Sequence, residues 1–174
     1  IEVKYFISNK LENLENCYKI IIPGIGNMSN FLNKNPIIEM KNFFKNYLDR
    51  GGFIYGICLG MQLFFEKSYE TTVNPVNTLG LFSGSIVPFN QSISYKMNVG
   101  HKNFIFSLEQ NNIFKDLFYD IDDNEKFFFL HKFYCDNKDT NLKSINIFFE
   151  KKKIPVLIYK NNILGTQFHP ELSK

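Results

Sequence analysis

The stretch Gly52 to Gln62, "GFIYGICLGMQ", sets Cys58 between two glycines where an apolar run gives way to a helix-like pattern. A nucleophile on a sharp strand-to-helix turn is pushed out at the carboxyl end of a sheet, and flanking glycines remove Cβ clashes there. The start of the following helix offers unpaired backbone N–H groups and a positive dipole end, which favour thiolate over thiol. The N–H of Leu59 then faces a developing oxyanion. The alternative is a small buried cysteine in a Gly-rich turn.

A thiolate needs a base, and the base needs an orienting carboxylate. "GTQFHPELS" near the end of the chain places His169 and Glu171 two residues apart after a strand-like segment. Pro170 holds that segment extended, so both side chains point the same way. An isolated pair of this kind also fits a strand-capping histidine beside an exposed glutamate. A third segment, "IIPGIGN", puts a Gly-rich turn after an apolar strand. Gly24 and Gly26 allow the backbone there to aim N–H groups at a bound carbonyl, with Ile25 or a neighbour as second oxyanion donor. A phosphate loop is the rival reading; G-K-[ST] is lacking and Ser29 stands where the last glycine of G-x-G-x-x-G belongs.

These segments need a scaffold that brings them together. "VKYFIS" (Val3 to Ser8) and "KIIIPG" read as strands and Asn27 to Asn33 as a short helix. Ile37 to Asp49 has the clearest helical period, with Ile37, Met40, Phe44, Tyr47 and Leu48 on one face. Gly51 and Gly52 end it. "FIYGI" is the next strand and Leu59 to Lys67 the next helix. Alternating strands and helices favour a parallel sheet covered by helices, an α/β layered fold. "GSIVPF", "FFFLHKFY", "SINIFF", "PVLIYK" and "ILGTQF" are strand-like and read as partly antiparallel additions, with Asn74 to Asn77 and Asp120 to Glu125 as surface loops.

The chain of 174 residues, 44% hydrophobic and 21% charged, suits one soluble globular domain. With a net charge of +3 and Arg50 as the single arginine, nucleic acid is not the expected partner. Lys151 to Lys153 reads as a solvated loop. Cys17, Cys58 and Cys135 are widely spaced, as are the three histidines, which gives a metal site no support and suggests a reducing compartment. No apolar run reaches the roughly 18 residues of a membrane span, so the expected setting is cytoplasmic, with no membrane partner and no cofactor.

"GICLGMQ" together with "QFHPE" resembles the class I (Cys-His-Glu triad) glutamine amidotransferases. "IIPGIGN", "LGLFSGSIVPF", "LHKFY" and "ILGTQFHPELS" extend the likeness over nearly the whole chain. The resemblance implies a three-layer, flavodoxin-like fold, mostly parallel with antiparallel additions in the C-terminal half. It implies one domain over residues 1 to 174, short of the family's first strand and helix and its last helix. By the same resemblance Cys58 is the nucleophile that forms a γ-glutamyl thioester from L-glutamine, His169 the base and acid, and Glu171 its orienting carboxylate. Leu59, Gly24 and Ile25 form the oxyanion hole, and Gln62 and Gly26 hold the substrate. The likeness is strongest to glutaminase subunits that pass ammonia to a (β/α)8-barrel cyclase subunit in histidine biosynthesis, as a heterodimer. Ammonia supply for surface-sugar (lipopolysaccharide) biosynthesis, a free-standing γ-glutamyl cysteine hydrolase, and a non-enzymatic relic are the alternatives. Gly100-His101 stands where the family has Gly-Trp. His131 is expected to be structural, since one nucleophile needs one base, and His101 has no assigned role.

Overall fold

The structure, a computed structural model, describes residues 3–70, 74–89, 97–103, 114, 117–122, 125–149 and 151–173. A parallel pair opens one side of the main sheet: β1 (Lys19–Ile22) runs beside β2 (Phe53–Ile57), with Ile20 opposite Ile54 and Ile22 opposite Gly56. The connection between them carries two helices. Asn27 caps α1 (Met28–Lys34) by accepting from the Asn30 N–H at 3.1 Å, as N-cap asparagines do. Helix α2 (Ile37–Asp49) buries Met40, Phe44 and Tyr47, the face its periodicity predicts.

Beyond β2 the chain enters the short helix α3 (Leu59–Gln62), then β3 (Lys67–Ser68), β4 (Val76–Asn77), β5 (Gly84–Pro88) and β6 (Asn98–Lys102). The second half supplies β7 (Phe127–His131), β8 (Phe133–Asn137), β9 (Lys143–Phe149), β10 (Lys152–Lys160) and β11 (Ile163–Thr166). The main sheet has the order β1-β2-β11-β10-β9; β4-β3-β5-β8 form a second sheet and β6-β7 a third. Strand β11 returns to lie parallel to β2, placing Gly165 opposite Gly56 and Thr166 opposite Ile57. The antiparallel hairpins β9-β10 and β10-β11 complete the sheet.

The α/β fold with antiparallel C-terminal additions is thus as expected, although the described sheets are mixed and the parallel part is concentrated around β1, β2 and β11. Residues Ile154 to Ile158 of β10 are buried without interruption, the mark of a strand covered on both faces. Ile158, Ile54, Phe64 and Phe82 belong to one apolar cluster, and Leu157, Leu164, Phe129 and Phe168 to the other.

Five local expectations fail; the first is the loop at Lys151 to Lys153, where Lys152 and Lys153 open β10 opposite Phe149 and Phe148, their side chains exposed. Val3 to Ser8 is not a strand; Val3, Tyr5, Phe6 and Ile7 are exposed, and an apolar run becomes a strand only where another strand supplies its hydrogen bonds. The helix expected over Leu59 to Lys67 stops at Gln62. The carbonyls of Leu63, Phe64 and Phe65 accept instead from the N–H groups of Leu79, Leu81, Phe82 and Gly80, at 2.7–2.9 Å, so they cannot continue an i to i+4 ladder. "FFFLHKFY" breaks at Lys132 into β7 and β8, which join different sheets. Part of the Asn74 to Asn77 loop is the edge strand β4, paired with β3. Of the Asp120 to Glu125 loop, residues 123 and 124 lie outside the described residues.

Candidate active site

Strand β2 delivers Cys58 to the carboxyl end of the sheet in a left-handed conformation, φ 51° and ψ −102°, at the cap of α3. A non-glycine residue in that region is held by its surroundings against a strain of about 1–3 kcal/mol. The surroundings here are close backbones. A Cβ on Gly56 would lie 2.6 Å from the Gly60 carbonyl carbon, and one on Gly60 would lie 1.9 Å from the Ile22 carbonyl oxygen. Both glycines let β1, β2 and α3 approach, which is why the turn is tight enough to carry the thiol outward.

The parallel pairing of β11 with β2 brings the last segment to the same edge. The Cys58 N–H donates to the Thr166 carbonyl at 2.7 Å, so the residues after Thr166 emerge beside the cysteine. His169 is fully buried, and its N–H donates to the Phe128 carbonyl at 2.8 Å. Its Nδ1 meets Glu171 Oε1 at 2.8 Å across the short 3-10 turn Pro170–Leu172, while the buried Nε2 has no hydrogen-bond partner. The carboxylate fixes Nδ1 as the donor and leaves Nε2 as the basic atom. A buried nitrogen left open in this way is the atom of the ring available to a substrate or a nucleophile.

Burial pushes the Cys58 thiol up to about 12; the Leu59 N–H and the Gln167 amide pull it down, and the carboxylates of Glu171 and Glu70 push it further up. The thiol donates to the Leu130 carbonyl at 3.8 Å and accepts from Gln167 Nε2 at 3.4 Å. Against the thiolate expected from the helix start, α3 is only four residues long, and burial acts on the thiol in the opposite direction. The Leu59 N–H, the expected oxyanion donor, donates to the Gly24 carbonyl at 3.3 Å, and Ile25 beside it is exposed. Gly26 has φ +133°, a conformation that favours glycine, with open space where a Cβ would stand.

Cys58, Leu59, Gln62, Ile25, Gly26 and Glu70 border one cavity of about 300 Å3, a size suited to an amino acid. Glu70 had no signal in the sequence. Its carboxylate accepts from the Met28 N–H and from the Asn27 side chain, while burial raises its pKa. Gln167 was also missed, though its place two residues before His169 on an extended segment puts both on the same side. His131 borders the same cavity but is buried and bonded on both nitrogens, to Asn98 Nδ2 and the Phe133 carbonyl, each at 2.8 Å, which fits the structural part expected of it. Exposed His101 reaches the Leu172 carbonyl at 3.3 Å. Among the described residues no cluster of His, Cys, Asp and Glu could hold a metal ion, and no helix is long and apolar enough to cross a membrane.

A buried cysteine on a strained turn, a carboxylate-held imidazole and a small cavity are what an amide-cleaving thiol enzyme requires, and residues 1–174 match the family model "Glutamine amidotransferase class-I". The chain belongs to the class-I glutamine amidotransferase family. Among similar proteins are two named imidazole glycerol phosphate synthase subunit HisH. That of Chlorobium luteolum is 30% identical over 167 residues, covering 96% of this chain and 80% of the relative. That of Methanocaldococcus jannaschii is 33% identical over 173 residues, covering 98% and 81%. A crystal structure of a glutamine amidotransferase superposes with a TM-score of 0.60 at 15% identity, over 95% of this chain and 77% of that one, which supports the fold.

Proposed function

We propose that this chain is a glutaminase subunit of an imidazole glycerol phosphate synthase, a single glutamine amidotransferase domain over residues 1 to 174 that works in the cytoplasm. The observation that carries the reading is the His169 imidazole, clamped through Nδ1 by Glu171 and open at Nε2, on the segment that β11 sets beside Cys58. The HisH relatives, similar over most of the chain, supply the particular pathway.

In this mechanism L-glutamine enters the cavity beside Cys58. Glu70, a carboxylate at its wall, suits the α-ammonium group, and Gln62 and Gly26 border the rest. His169 Nε2 takes the thiol proton as Sγ attacks the side-chain amide carbon, and the resulting imidazolium returns that proton to the leaving nitrogen. Ammonia departs and a γ-glutamyl thioester remains. Water, deprotonated by the same Nε2, then splits the thioester to glutamate and restores the thiol. A raised thiol pKa is compatible with this route because the proton moves in the attack itself, within a concerted base-assisted step. The oxyanion of each tetrahedral intermediate is held by the Leu59 N–H and a second N–H from Gly24, Ile25 or Gly26, once the loop has withdrawn the Gly24 carbonyl. A (β/α)8-barrel cyclase subunit receives the ammonia.

Cys58→Ala is expected to abolish glutamine hydrolysis, measured as glutamate release with the partner cyclase present, while leaving the fold intact. Retained turnover in that variant would remove the proposal.

A further inference from the structure

Gln62 and Gln167 form a chain of side-chain amides ending on the reactive sulfur. Gln62 Nε2 donates to the Phe133 carbonyl at 3.3 Å and to Gln167 Oε1 at 3.0 Å, and Gln167 Nε2 donates to Cys58 Sγ at 3.4 Å. Both glutamines are buried, Gln167 fully. The direction of this chain is forced from its far end. A backbone carbonyl only accepts, so the Gln62 atom facing Phe133 must be the nitrogen. That same nitrogen faces Gln167, so the Gln167 atom it meets must be the oxygen. The remaining end of Gln167, the one on the sulfur, is therefore an N–H donor. Rotating either amide by half a turn would set two donors or two acceptors against each other in a buried place.

We propose that Gln167 is a positioning residue of the nucleophile, holding a fixed N–H on Cys58 Sγ that strengthens as the sulfur becomes anionic, and that Gln62 acts through it by locking the amide's orientation. An N–H donor to an ionised acceptor is much stronger than to a neutral one. The interaction thus favours the charged sulfur of the attacking and leaving states over the resting thiol, which is the kind of differential stabilisation that speeds a reaction. The downward pull of the Gln167 amide on the thiol, against the larger effect of burial, agrees in direction. Gln62 acquires a role different from its expected contact with substrate: it borders the cavity and orders the amide behind the sulfur.

The inference rests on the proposed role of Cys58, but its deciding readout needs no glutamine. Iodoacetamide reacts with the thiolate, so the alkylation rate of Cys58, followed by peptide mapping over roughly pH 7 to 10, reads the thiolate fraction. Gln167→Met keeps the bulk and removes the donor. It is expected to lower the rate about ten- to a hundredfold at every pH, the size of a hydrogen bond to a charged group, and to lower kcat for glutamine more than it changes KM. Gln62→Met, which leaves Gln167 in place but unanchored, is expected to lower the rate by a smaller factor. A merely structural role predicts the opposite sign, because loosening the packing exposes a buried thiol and speeds its alkylation. An unchanged or faster rate in Gln167→Met overturns the donor role, and an unchanged or faster rate in Gln62→Met overturns the anchoring role, even should the first variant fail to fold. Glutamine hydrolysis surviving in Cys58→Ala would instead sink the glutaminase reading and leave the alkylation result standing.

Discussion

At Cys58 burial and two carboxylates favour the thiol, while one backbone N–H and one side-chain amide favour the thiolate. The neighbouring histidines divide in a comparable way. His169 keeps one nitrogen open, whereas His131 spends both on protein groups and is held neutral by burial, its pKa lowered to about 4 from the ordinary 6.5. The folded protein therefore excludes a proton that the unfolded chain accepts. His131 costs the fold nothing above about pH 6.5; as pH falls from there toward about 4 the unfolded chain gains a proton and stability drops. At one pKa unit per 1.36 kcal/mol the full effect is about 3 kcal/mol. Urea unfolding across that range is expected to show the slope, and His131→Gln to flatten it. A wild-type stability that stays level between those pH values would contradict the neutral buried ring. The H-P-E pairing and the cysteine between glycines were legible as chemistry because each depends on residues two apart. Gln167 and Glu70 were not, because what makes them part of the site is a contact across the fold: Gln167 to Gln62, 105 positions away, and Glu70 to Met28, 42 positions away.

At the scale of elements, the crossing of β1, β2 and α3 decides whether the thiol is presented at all. Gly60→Ala would drive a methyl into the Ile22 carbonyl, a backbone atom unable to step aside alone, and is expected to cost about 3 kcal/mol or more. Gly51→Ala tests the contrast: its φ of +85° is awkward for alanine, but the space is open, and about 1 kcal/mol is expected. Equal losses for the two in chemical denaturation would show that close approach is not what Gly60 provides. Helix α2 could be read with its bounds because its periodicity is uninterrupted, and strand β2 because a short apolar run follows the Gly51-Gly52 break. Helix α3 could not. The residues after Gln62 are apolar and helix-tolerant, and only the hydrogen bonds from Leu79 to Phe82, far along the chain, end it. The burial acting on Cys58 was not legible for the same reason, since a local dipole argument takes no account of how deeply distant strands bury the turn.

For the molecule as a whole, the main sheet joins a residue near position 60 to one near position 170 by laying β11 on β2. The Leu59 N–H, the expected oxyanion donor, donates instead to the Gly24 carbonyl at 3.3 Å. On the proposed reading, turning the Gly24–Ile25 peptide frees that donor. Removal of a single oxyanion donor commonly costs 10²–10³ in kcat, so adding the barrel cyclase with its acceptor substrate is expected to raise glutamine turnover by about that factor. A stopped assay of glutamate, with and without the cyclase, checks this, and equal rates would place the control elsewhere. The Leu59–Gly24 hydrogen bond also bears on how the protein behaves in company. One amide proton cannot serve a resident carbonyl and a reaction intermediate together, so on the proposed reading a lone subunit surrounded by abundant glutamine is expected to stay quiet, and the nitrogen it could liberate is not lost to the surrounding water before a recipient has docked.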